Sequence, residues 1–206
     1  MKYLCDSLGR CVDGKKPAGE GQGSDQALIR LFVACRFAGD VQSALRGFQD
    51  GCPGMRWMLP ETLHVTLRFL GKIPLTMLQP VQDALKTVQA KSFVLTQGDL
   101  GWFSHGRRHV LYAGVEECPE LCALQAKVVQ ALGTVLPMPE QGFTPHITLG
   151  RALRGHNPED AELASYKAAK DALPRLTVPV TSFSLIESHF TPECAVHAEV
   201  VSYPLI

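Results

Sequence analysis

The sequence predicts an α+β fold made of two similar lobes that face each other across a cleft, and three observations carry that expectation. Leu63-His64-Val65-Thr66-Leu67 is echoed, more than a third of the chain later, by Pro145-His146-Ile147-Thr148-Leu149. Alternating β-branched runs mix irregularly with helical periodicities, and each histidine segment follows a helix and a turn. Finally, 206 residues, 46% of them hydrophobic, can bury a real core in one domain or two intimately packed lobes.

Taken in order, residues 1–25 show little periodicity and read as a flexible N-terminal extension, leaving 26–206 as a single bilobal domain. Leu28 to Cys35 is an apolar run of strand length. Residues 40–50 fit a short helix, with Val41, Ala44, Leu45 and Phe48 on one face. Gly51-Cys52-Pro53-Gly54 is a turn. The first histidine strand ends at Leu70-Gly71, and a helix over 75–90 follows, with Leu78, Val81, Leu85 and Val88 spaced for burial. Strands are expected at 93–97, 109–115 and 143–151, with a helix over 119–135 carrying Leu121, Leu124, Val128 and Leu132. Ala161 to Leu173 is a weaker helix, and 176–190 and 195–203 alternate as two final strands.

Composition sets limits on function. Lys+Arg and Asp+Glu balance at 20 each, which argues against affinity built on coating many nucleic-acid phosphates but leaves room for one or two in a local pocket. Seven scattered cysteines without a CxxC fit a reduced protein better than a disulfide framework. The N-terminus lacks an apolar core of signal-peptide length, and no window reaches membrane-span length, so a soluble cytoplasmic protein is expected. A monomer is the default expectation.

In a strand, side chains i and i+2 share a face. His64 therefore points with Thr66, and His146 with Thr148, each pair backed by aliphatic neighbours. Imidazole titrates near pH 6.5, so a facing pair can hold one base and one acid at once, each contributing about 10²–10⁴-fold in rate. Displacement at phosphorus without a metal matches this set best. One imidazole takes a proton from the attacking oxygen and the other gives one to the leaving oxygen, while hydroxyls and arginines hold the remaining oxygens. No carboxylate stands at strand spacing in either motif, which makes zinc the weaker reading. No cofactor is expected. If one imidazole must be neutral and the other protonated, the rate should follow a bell centred near neutrality.

His64-Val65-Thr66-Leu67 and His146-Ile147-Thr148-Leu149 match the paired His-x-Thr-x signatures of the two-histidine phosphoesterase superfamily. The flanks resemble the LigT-type RNA 2′,3′-cyclic phosphodiesterases, also called 2′-5′ RNA ligases. The supporting stretches are Ile29 to Ala34, Trp57 to Gly71, Gly101-Trp102-Phe103, Phe143 to Arg151 and Leu185-Ile186-Glu187-Ser188. The resemblance covers roughly residues 28–206. It implies a bilobal, pseudo-twofold α+β fold with two mainly antiparallel sheets facing a central groove and helices outside. It also implies hydrolysis of 2′,3′-cyclic phosphate ends of RNA or nucleotides to 2′-phosphomonoesters, with reversible 2′-5′ joining in some members. Carried over by position, His64 is the acid on the departing 3′ oxygen and His146 the base on water. Thr66 and Thr148 bind phosphate oxygens, with Arg151 and Arg56 as cationic helpers. Where relatives often place a tyrosine in the last strand, this chain has His197.

A lone strand histidine is usually structural; the pairing and the flanks overturn that reading here. Arg56 and Arg151 could simply face water. Trp57, Trp102 and Phe143 could pack a core edge as readily as stack on a base. His105, His109, His156 and His189 read as surface or structural groups, and Cys118 and Cys122 as helix residues. Two rival functions stand beside the cyclic phosphodiesterase. One is an enzyme for another small phosphodiester, such as a 2′-5′ oligonucleotide or a cyclic nucleotide-sugar phosphate. The other is a module that binds a nucleotide or RNA end without turnover.

Overall fold

The computed structural model describes residues 27–37, 39–105, 108–156, 159–190 and 195–206. The expected extension over 1–25 lies outside them. The strands are β1 (Leu28–Arg36), β2 (Met55–Trp57), β3 (His64–Pro74), β4 (Phe93–His105), β5 (Arg108–Val115), β6 (His146–Ala152), β7 (Thr177–Val180), β8 (Ser182–Phe190) and β9 (Ala195–Pro204). The helices are α1 (Gly39–Leu45), α2 (Leu78–Lys86), α3 (Pro119–Gly133) and α4 (Asp160–Lys170).

The strands pair antiparallel in the order β7-β4-β5-β6-β3-β1-β8-β9, with β2 also against β6. The row has two matching halves, β3-β1-β8-β9 and β6-β5-β4-β7, joined where Val65 of β3 pairs with Ile147 of β6. β7 and β8 lie far apart in that order, yet Thr181 alone separates them in sequence. The sheet must therefore curl until its far ends approach. The carbonyl of Thr181 accepts from the Leu205 amide at 2.8 Å, fastening the turn.

One face of the curl carries the core. Leu31, Val33 and Cys35 of β1, Val65 and Leu67 of β3, and Ile147 and Leu149 of β6 pack there. Val81 and Leu85 of α2 and Leu121, Leu124, Val128 and Leu132 of α3 complete it. In α3 the i, i+3, i+4 spacing of those residues puts one stripe on the sheet, and Pro119 opens the helix where its missing N–H costs nothing. Tyr166 of α4 is fully buried, stacks on Trp57 with ring centroids 6.3 Å apart, and donates its hydroxyl to the Phe48 carbonyl. The opposite, concave face holds a small separate apolar cluster of Phe32, Ala34 and Ile186.

Several boundaries differ from expectation. The helix predicted over 40–50 stops at Leu45 and tightens into a single 3₁₀ turn over Arg46–Phe48; that over 75–90 begins with such a turn and is α-helical only over Leu78–Lys86. The strand predicted at 93–97 runs on to His105: it pairs with β7 over Phe93–Thr96 and with β5 from Gln97 onward, across a register shift between Gln97 and Leu100. The run 176–190 is two strands in opposite halves. Residues 143–145 precede β6 rather than belong to it, and β2 was not foreseen.

Candidate active site

β3 and β6 repeat each other in structure as well as in sequence. Residues 64–70 and 146–152 share the same order of buried, half-buried and exposed positions. Both strands carry a bulge at the same motif position. On β1 the partners of Val33 and Ala34 are Arg68 and Thr66, so Leu67 is the extra residue. On β5 the partners of Leu111 and Tyr112 are Gly150 and Thr148, which makes Leu149 extra. A bulge bends its strand and re-aims the side chains around it. In both strands this extra residue, Leu67 and Leu149, is buried in the core.

The single seam pair decides what meets. Val65 and Ile147 point into the core, so His64, Thr66, His146 and Thr148 lie on the concave face. Continuing the antiparallel register one residue each way sets His64 opposite Thr148 and Thr66 opposite His146. Direct neighbours of this kind have Cβ atoms about 5 Å apart, and the diagonal pair of histidines about 7–8 Å.

Each imidazole is fixed by its own strand entry. His64 Nδ1 lies 2.6 Å from the Thr62 carbonyl, and His146 Nδ1 lies 2.8 Å from the Thr144 carbonyl. A carbonyl only accepts, so both Nδ1 atoms carry the proton and Nε2 is the basic nitrogen in each neutral ring. Around His64 pack Phe32, with centroids 4.9 Å apart, and His197 at 5.3 Å. Around His146 pack Phe103 at 4.9 Å and Tyr112 at 5.5 Å, the last two stacked on each other at 4.2 Å. Gly101 makes room for that stack, since a Cβ there would collide with the end of the Tyr112 ring.

Burial dominates the electrostatics. Desolvation pushes His64 down to about 4, against the pull of its bond to Thr62 and helped by the nearby His197, His146 and Arg36. His146 is lowered by burial and by Arg151, and His197 by burial, Arg151 and Arg36. With both motif imidazoles neutral, the site is a pair of bases flanked by guanidinium groups, which suits an anion whose charge favours protonation of one of them.

Arg151 lies close enough to His146 and His197 to act on both. Arg56 is exposed on β2, directly across the ladder from Arg151. The guanidinium acting on His64 is that of Arg36, its cross-strand partner, which is held by Glu199 at 3.4 Å and by the Glu61 carbonyl at 3.1 Å. Arg36 was missed because it belongs to a strand far from both motifs; the only trace was its place in the alternation of Phe32 and Ala34. Phe32 and Phe103 entered the sequence reading only within stretches that support the resemblance, and Tyr112 only within the strand expected at 109–115. Trp57, Trp102 and Phe143 are partly buried against the core. Among the described residues no cluster of three or more His, Cys, Asp or Glu side chains could hold a metal ion, and no helix is long and apolar enough to cross a membrane.

The family model of the 2′-5′ RNA ligase superfamily matches residues 43–190, spanning both histidine strands. The chain belongs to this superfamily. Within it, the RNA 2′,3′-cyclic phosphodiesterase of Archaeoglobus fulgidus is 28% identical over 176 residues, covering 84% of this chain and 98% of its own. The protein of the same name from Thermotoga maritima is 30% identical over 151 residues, covering 71% of this chain and 75% of its own. The crystal structure of E. coli LigT in apo form matches with a TM-score of 0.69 at 22% identity, over 86% of this chain and 98% of that one. A Thermus thermophilus crystal structure gives 0.69 at 25% identity, over 85% and 97%. The expected two-histidine phosphoesterase fold is thereby borne out: a curled antiparallel sheet with its helices on the outer face.

Proposed function

We propose that this member of the superfamily is an RNA 2′,3′-cyclic phosphodiesterase that works by paired imidazole acid–base catalysis without a metal. The observation that carries the reading is the seam itself. Two imidazoles, each anchored through Nδ1 with Nε2 as its basic nitrogen, stand diagonally across two hydrogen-bonded strands with a threonine opposite each. The names of the relatives supply the substrate class.

In this reading a 2′,3′-cyclic phosphate on an RNA end or nucleotide lies over the seam. His146 Nε2 takes a proton from water as the water oxygen bonds to phosphorus. The bond from phosphorus to the 3′ oxygen breaks, and His64, protonated in the complex, gives its proton to that oxygen. The product is a 2′-phosphomonoester with a free 3′ hydroxyl. Thr66 and Thr148 donate to phosphoryl oxygens, and Arg151 offsets the charge that builds on them. Arg56, across from Arg151, attracts the rest of the anionic ligand. With an RNA 5′ hydroxyl attacking in place of water, and the 3′ oxygen again leaving with the proton from His64, the same site forms a 2′-5′ bond. The chain acts as a cytoplasmic monomer, a setting in which the free thiols of Cys35, Cys52, Cys118 and Cys122 are stable.

The test is turnover of 2′,3′-cyclic nucleotides and short cyclic-phosphate RNAs with excess chelator present. The reading expects a 2′-phosphomonoester product and a loss of about 10²–10⁴-fold in kcat for both His64→Ala and His146→Ala. Chelator-sensitive activity, or single variants that alter only affinity, would overturn it in favour of a metal hydrolase or a binding module.

A further inference from the structure

His197 stands on the concave face of β9, opposite Ser188 of β8. Its ring is half-buried and lies edge-on to two others, 5.3 Å from His64 and 5.0 Å from Phe32 between centroids. The motif histidines each have a carbonyl at Nδ1. By contrast, Nδ1 of His197 is buried with no hydrogen-bond partner among the described residues. A buried N–H without an acceptor is rarer and costlier than a bare lone pair, and more so when it carries charge. The proton of His197 therefore belongs on Nε2, and the ring stays neutral. The groups facing it agree: beside the neutral His64 of β3, burial and the guanidinium groups of Arg151 from β6 and Arg36 from β1 all disfavour an imidazolium. The carboxylates of its own strand and the next are engaged elsewhere. Glu199 is held by Arg36 and the Ser184 hydroxyl, and Glu187 by His189 at 3.1 Å.

We propose that His197 is a third site imidazole in the tautomer opposite to that of the motif pair, presenting a neutral Nε2–H as a fixed hydrogen-bond donor to a ligand oxygen beside His64. On the cyclic-phosphate reading above, that oxygen is a phosphoryl oxygen. His197 binds and orients the ligand and takes no part in moving protons.

Imidazole ¹⁵N spectra of the full chain distinguish the tautomers directly, whatever its activity. The expected pattern is Nδ1–H for His64 and His146 and Nε2–H for His197; an Nδ1–H or protonated His197 at pH 7 overturns the proposal. Kinetics on a 2′,3′-cyclic nucleotide supply the second arm. His197→Phe keeps an aromatic ring against Phe32 and His64 but removes the donor. It should lower kcat/KM about tenfold, chiefly through KM, with both limbs of the pH profile in place. His197→Gln, which restores an amide donor, should recover most of that loss. Loss of a pH limb in His197→Phe, full activity in that variant, or no recovery with glutamine contradicts the donor role. If no cyclic phosphate is turned over at all, the functional reading fails while the tautomer pattern still decides this inference.

Discussion

His64 and His146 are neutral in the free protein because the strands that present them also desolvate them. On the proposed mechanism one imidazole must be protonated, so the free-enzyme profile cannot centre where two exposed histidines would place it. Both groups are shifted down. The bell in kcat/KM, which reports the free enzyme, should peak on the acid side of about pH 6.5, and a peak at or above about pH 7.5 would contradict the burial argument. The same shift acts on folding. Between about pH 6.5 and about 4 the unfolded chain binds a proton at His64 that the folded chain refuses. Stability is therefore full above about 6.5 and declines as pH falls toward about 4. The urea midpoint should drop between pH 7 and pH 5, and His64→Gln should flatten that drop. At this scale the sequence was legible for His64, Thr66, His146 and Thr148, because i, i+2 alternation assigns a face from adjacent letters. It was silent on Arg36, which reaches His64 only through β1–β3 pairing, and on the depth of burial that moves the expected neutral optimum.

Elements were legible where periodicity is strong, as in α3, β1 and the His-x-Thr stretches that precede the bulges of β3 and β6. They were not where glycine and bulges interrupt the alternation. β4 looked short because Gly98 and Gly101 fall in its middle, yet Gly101 is what lets the Tyr112 ring lie across it. A Cβ at 101 would strike the far end of that ring rather than backbone, so the ring can yield and the fold survives. What is lost is the stack on Phe103 and the packing beside His146. Gly101→Ala should cost about 1–3 kcal/mol in chemical denaturation and lower kcat/KM as well. In a Tyr112→Ala background the same change should cost clearly less, since the clash is gone. Equal costs in both backgrounds would show that Tyr112 is not what Gly101 accommodates.

At the scale of the whole molecule, the duplication suggested by five residues extends to a shared burial pattern, a shared bulge and matching half-sheets. No stretch of sequence states the seam, because the Val65–Ile147 pair joins two half-sheets through residues far apart in the chain. The curl that brings β7 next to β8 was equally hidden, since one residue at Thr181 divides what reads as a single strand. The seam is nevertheless what turns two structural histidines into one site. The most direct measurement is a titration of inorganic phosphate against the full chain, following the imidazole resonances of His64 and His146. The account predicts that one bound phosphate raises the pKa of both rings with a single shared dissociation constant, and that His64→Ala or His146→Ala weakens the same binding event. Two independent binding events, or a phosphate that shifts one ring and leaves the other untouched, would contradict it.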